Sequence, residues 1–165
     1  IVTFIVRRNS PLIRLTSEPI YLINKEAGIK VGIGFSNQND VYLSGCEAII
    51  QAFTNGNIIN PSLILAFCKG NADHDAFFRG IRETAGKQVP IVGGSAIGLI
   101  TNTVISYNDI PAGVLVFESD TIRISIADAA HLQNSEFSAG QQFAKQLDRS
   151  PEDRALLLFY DSIKH

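Results

Sequence analysis

The chain has 165 residues, a formal net charge of −2, 45% hydrophobic and 18% charged residues. That mixture describes a soluble globular chain with a core of about one domain, not a disordered or fibrous one. The slightly acidic balance argues against nucleic acid as a partner, because phosphate binding is driven by clustered Lys and Arg, and no apolar run approaches the roughly 20 residues that span a bilayer.

Residues 1–28 give two short extended runs, "IVTFIV" and "IYLIN", punctuated by Pro11 and Pro19; prolines so placed suit turns or edge strands. Residues 31–36, "VGIGFS", read as a strand whose glycines permit close packing. Asn39 and Asp40 then offer N-caps for a helix that runs to about Asn55, stops at Gly56 and carries Ala48, Ile49, Ala52 and Phe53 as its apolar stripe. "LILAFCK", residues 63–69, is a continuous apolar run, the pattern of a strand covered on both faces. The next helix is the best marked: Asp73 caps it, Asp75 sits in its first turn, Phe77 and Ile81 face inward and Gly86 closes it.

"VPIVGGS" is the following strand. Residues 111–119 and 121–129 are two more, and with about Asp120 alone between them they are expected to pair as an antiparallel hairpin. In the second of these, Ile122, Ile124 and Ile126 alternate with Arg123 and Ser125, so one face meets polar surroundings. A last helix is predicted from about Ser138, where Ser138 and Gln141 form a capping box, through Ala144 and Leu147. "ALLLFYD" reads as a buried closing strand. The fold class is therefore α/β, a layered mixed sheet flanked by helices with an antiparallel hairpin.

An internal echo runs through this order. "GCEAIIQAF…PSLILAFCKG" and "GQQFAKQL…PEDRALLLFYDS" share a plan of glycine-bearing helix, proline loop and apolar strand, with Leu65 matching Leu157 and Phe67 matching Phe159. The second copy stops where the first continues into helix and strand. With Ile1 at the start and no methionine, the chain is expected to be a piece of something larger.

The stretch "IVGGSAIGLITN" concentrates the candidate chemistry. It is not a Walker loop, since Leu99 and Ile100 follow Gly98 where Lys and Ser or Thr are needed, and "GGSAIG" lacks the order of the dinucleotide fingerprint. As a nucleophile elbow it has Ile97 in place of the closing glycine; Asp109, Asp128 and His131 are the residues on hand for a triad. The third reading is a strand end where Gly93, Gly94 and Gly98 turn the backbone at positive φ and bare amides to an anion, with Ser95 adding a hydroxyl. Against it stands close packing with no ligand. Cys46 and Cys68 are too few and too far apart for a disulfide or metal framework and read as reduced thiols. Cys46, near a helix start, reads first as a packing residue, then as a nucleophile; Cys68 lies at a strand end. His74, between Asp73 and Asp75, suggests a metal cluster, but neighbouring helical residues diverge, so no metal and no cofactor is assigned.

Together, Gly32, Gly34 and Ser36, then Leu63, Leu65 and Phe67, then Gly94, Ser95 and Gly98, then the hydrophobic strand at 114–117, resemble the N-terminal half of the FIST domain, the sensory domain of F-box and intracellular signal transduction proteins. The resemblance spans residues 31–165 and leaves 1–28 unassigned, so the domain is set at 29–165, truncated at its C-terminal end. It implies a cytoplasmic, non-enzymatic input module that binds a small molecule, amino acids or related carboxylates among them. Implied partners are a histidine kinase, a cyclic-dinucleotide enzyme, a chemoreceptor or F-box machinery. The expected ligand site is Gly94, Ser95, Ala96 and Gly98 with Ser36, Asn37, Cys68 and Lys69, Lys69 being the cation. The alternatives are a hydrolase using Ser95 or Cys46, and a protein–protein scaffold whose glycines serve packing alone.

Overall fold

The computed structural model describes residues 2–8, 28–129, 135–147 and 149–159. In chain order these form β1 (Val2–Arg8), β2 (Lys30–Ser36), α1 (Val41–Gly56), β3 (Leu63–Lys69), α2 (His74–Ala85), β4 (Ile91–Ala96), β5 (Leu99–Ile100), β6 (Ile105–Ser106), β7 (Ala112–Glu118), β8 (Ile122–Asp128), α3 (Glu136–Gln146) and β9 (Asp153–Phe159). They divide into two compact units, residues 29–119 and residues 1–28 with 120–165. The expected run "IYLIN" lies outside the described residues.

The 29–119 unit is a mixed sheet in the order β2-β7-β3-β4. β7 is antiparallel to both β2 and β3, and β4 is parallel to β3, so β2, β3 and β4 all point the same way. Both helices pack on one face. Asp40 caps α1 by accepting from the Leu43 amide, and Asp73 caps α2 by accepting from the Ala76 amide, as the sequence predicts. Ala48, Ile49 and Ala52 of α1 and Phe77 and Ile81 of α2 form one core with Ile64, Cys68, Val114 and Val116 from the strands beneath.

β2 carries glycine where α1 crosses it. A Cβ on Gly32 would stand 1.9 Å from the Ala52 carbonyl oxygen, and one on Gly34 1.8 Å from that of Ala48. The helix axis thus lies closer to the strand than any side chain permits. Gly56, expected to stop α1, is its last helical residue, pressed against Gly32, and Asn57 takes the αL position at φ 47°.

Glu118, at the end of β7, closes the loop between α1 and β3. Its carboxylate accepts from Lys30 Nζ at 2.9 Å and from the Asn60 amide at 2.6 Å, with the Ile59 amide beside it. The Lys30 hydrogen bond, then the two backbone amides, hold its pKa down at about 2 against an ordinary 4.5. A depressed carboxylate contributes stability above its unfolded value and loses it as pH falls toward the folded one. Acid titration of Glu118→Gln is therefore expected to show a shallower loss of stability between those two values than the parent chain. Identical acid profiles would remove Glu118 from the account.

The second unit is the sheet β8-β1-β9, antiparallel throughout. Here the predicted pairing of residues 111–119 with 121–129 is corrected: β7 is held between β2 and β3, and β8 pairs with β1 instead. Both edges of β7 are already occupied in its own sheet, so the short link at Asp120 carries the chain out of it. Among the described residues the antiparallel hairpin is β5–β6, pairing Leu99 with Ser106 and Ile100 with Ile105.

The echo in the sequence reappears as topology. β2–α1–β3 places two parallel strands around β7; β8–α3–β9 places two parallel strands around β1. The seating of the helices differs. α1 returns to the start of β2, where Lys30 Nζ donates to the Asn57 carbonyl at 3.1 Å, whereas Gln146 at the end of α3 bonds both backbone groups of Asp128, at the end of β8. α3 also starts earlier than predicted. Ser135 is the N-cap, its hydroxyl accepting from the Ser138 amide, so Ser138 lies inside the helix. β9, expected to be buried, exposes its leucines.

Candidate functional site

The parallel direction of β2, β3 and β4 gathers their C-terminal ends on one edge of the sheet, the place where open α/β sheets hold ligands. Register brings the predicted residues to this edge in a single row: Ser36 faces Ala112, Ala112 faces Cys68, and Cys68 faces Ser95. Residues in one row share a face, and alternation sends their sequence neighbours to the other.

On the helix-bearing face, Ser36 is buried; its hydroxyl donates to Glu47 of α1 and accepts from the Gln38 amide. Cys68 is buried in the core, and loss of solvation pushes its thiol up to about 11. Both are supports beneath the edge rather than groups that reach a solute. Ser95, at the end of the row, is exposed, and its Oγ lies 3.1 Å from His74 Nε2.

On the opposite face the edge is closed by Asp109, which sits in the left-handed region at φ 57°. Asn37 Nδ2 donates to its carboxylate at 3.0 Å, and Lys69 Nζ to its carbonyl oxygen at 2.7 Å. Lys69 pairs with Ala96, one residue beyond Ser95, so its side chain leaves the sheet on the other side. The basic group beside Ser95 is His74, not Lys69.

The glycines behave differently from the predicted turn. Among the described residues Gly86 alone of the glycines has positive φ, so Gly93 and Gly94 continue the strand. A Cβ on Gly93 would strike the Ala66 carbonyl at 1.6 Å, and one on Gly98 the Tyr107 ring at 2.3 Å, while Gly94 has nothing within 4 Å. Close approach explains Gly93 and Gly98. Gly94 bares backbone to open space beside Ser95, on an edge strand with no further strand next to it among the described residues.

His74 is the residue that sequence reasoning set aside. The signal was available: Asp73 fixes the helix start, and a β–α–β connection to an adjacent parallel strand places that start above the strand ends. Of the residues on hand for a triad, Asp109 is engaged with Asn37, Asp128 belongs to the other unit, and His131 lies outside the described residues. Cys46 donates to the Gly80 carbonyl at 3.5 Å across the α1–α2 contact, a packing position. An exposed hydroxyl and an imidazole in contact, beside unhindered backbone, suit two tasks: holding an anionic oxygen, or activating the hydroxyl.

A family profile described as the FIST N domain matches residues 62–165, more than half of the chain. No curated relative matches. Among solved structures, the chain is similar to a GTPγS-form protofilament of TubZ from Bacillus thuringiensis serovar israelensis, with 13% identity and a TM-score of 0.37. That similarity covers 71% of this chain and spans 28% of the length of the other.

Proposed function

The chain belongs to the FIST family, and from that premise we propose that its 29–119 unit binds a small carboxylate, such as an amino acid, at the exposed end of β4. FIST domains are sensory domains of signal-transduction proteins. The contact between Ser95 and His74 carries the reading. A carboxylate there meets the Ser95 hydroxyl, the imidazole and the backbone around Gly94 and Ala96, while Asn37, Lys69 and Asp109 brace the neighbouring strand ends. Gly98 shapes the exit from β4 against Tyr107, and Ser36 and Cys68 hold the row from below. The module is read as non-enzymatic and cytoplasmic, passing its signal to a histidine kinase, a chemoreceptor or F-box machinery; no helix among the described residues is long and apolar enough to cross a membrane.

A thermal-shift screen of amino acids and small carboxylates tests this. Ligand at a hundred times its Kd stabilises the folded state by about 2.7 kcal/mol, so one carboxylate is expected to raise Tm clearly in the parent chain. Ser95→Ala and His74→Ala are expected to abolish that gain. Silence across the whole screen, or a full gain in Ser95→Ala, sinks the proposal.

The same contact supports a second reading, a hydrolase with Ser95 as nucleophile and His74 as base. A fluorophosphonate probe separates the two. Labelling that disappears in Ser95→Ala and in His74→Ala, but persists in Cys46→Ala, favours catalysis over sensing.

A further inference from the structure

Glycine lowers the stability of a fold wherever an alanine would fit, because it widens the unfolded ensemble and adds no contact. The 29–119 unit contains eleven glycines. Eight of them would bring a Cβ to 3.1 Å or closer to a neighbouring atom, and Gly86 sits at φ 91°. Gly70 and Gly94 are the remaining two. Neither has positive φ, and neither is crowded among the described residues. Both border Ser95. Gly94 precedes it in β4, and a Cβ on Gly70 would meet the Ser95 Cβ at 3.8 Å, an ordinary contact distance. Departures from local sequence rules that bring the fold no gain concentrate at functional sites.

The two vacant positions open on different sides. Ser95 pairs with Cys68 on the helix-bearing face, where His74 Nε2 lies 3.1 Å from its hydroxyl. Gly94 pairs with Phe67, and strand alternation turns its missing side chain to the other face. Gly70 follows the end of β3 in the turn that the Ala72 amide closes by donating to the Lys69 carbonyl at 2.9 Å. Its vacant Cβ position touches the carbon that carries the Ser95 hydroxyl, and Gly70, His74 and Ser95 are all exposed. A methyl-sized space therefore lies beside that hydroxyl, and nothing in the backbone requires it to be empty.

We infer that Gly70 sets which carboxylates fit. With the carboxylate held by Ser95 and His74, the space at Gly70 takes a substituent on the carbon next to it. The site thus favours carboxylates substituted at that carbon over acetate. This rests on the carboxylate reading of the Ser95–His74 pair and adds the shape of what the pair holds.

The test is a thermal-shift titration of the full chain with sodium acetate and sodium 2-methylpropionate at one ionic strength. The parent chain is expected to bind 2-methylpropionate about fourfold or more tightly, the worth of one buried methyl group. Gly70→Ala puts the chain's own methyl into the space, and the ratio is expected to fall about tenfold or more, so that acetate is preferred. Without ligand, Gly70→Ala is expected to melt no lower than the parent. Asn71→Ala, in the same turn, is expected to keep the parent's ratio. Three results overturn the inference and leave the carboxylate reading standing: a lower ligand-free Tm in Gly70→Ala, an unchanged ratio there, or a parent chain that does not distinguish the two salts. A parent chain that responds to neither salt also overturns it, and silence across the amino-acid screen as well removes both.

Discussion

Gly34→Ala is expected to cost the 29–119 unit about 3 kcal/mol, enough to abolish much of a domain's stability. The new methyl would lie 1.8 Å from the Ala48 carbonyl oxygen and 2.8 Å from the Ala52 nitrogen. Both are backbone atoms of α1, so no rotamer change relieves the clash, and the helix must lift from the sheet that it covers. Gly94→Ala is the matched control. Its methyl meets nothing within 4 Å, and the expected change is within about 0.5 kcal/mol. Hydrogen exchange of the β3 amides reports on this unit in each variant. Equal losses for the two would restore the packing-only account of Gly94 and weaken the case for a ligand beside it.

Phe77→Ala is expected to cost about 3–5 kcal/mol, because a large buried ring is lost and the cavity cannot fully collapse. Phe77 is 4% exposed and packs in the core that α1 and α2 share, its ring edge near Gly45. Phe78, the next residue, is 45% exposed and lies under the Arg82 guanidinium at 5.3 Å from ring centre to charge. Phe78→Ala is expected to cost about 1 kcal/mol or less, the value of an exposed cation–π contact. Urea melts of both variants check the pair. A larger loss at Phe78 than at Phe77 would mean that α2 presents a different face to the sheet.

The two phenylalanines show how much of the fold was legible beforehand. Helical period alone places Phe77 and Ile81 inward, and both are buried. Asp40 and Asp73 announce the helix starts, since a short acceptor before an apolar-periodic segment has one favourable use. The glycines of β2 announce a close approach, though not to which helix residues. For the site, Ser95 and its glycines were visible as a strand end, and Ser36 and Cys68 as residues at the ends of their own strands; the register that sets Ser36, Ala112, Cys68 and Ser95 in one row was not. The burial of Ser36 and Cys68 was not visible, and neither was His74.

What the amino-acid order determined by itself is local: where α1 and α2 begin, which of their faces are apolar, that residues 63–69 form a strand, and that a helix–strand plan occurs twice. These follow from periodicity, capping and backbone freedom, which act over one or two turns. The tertiary structure alone decided partnership. β7 entered between β2 and β3, β8 went to β1 rather than to its neighbour in sequence, β9 joined the other edge of β1, and His74 came within hydrogen-bonding distance of Ser95. Strand pairing and side-chain meetings across 21 residues depend on which distant surfaces bury each other best, and that competition is settled only when the whole chain is closed around its core.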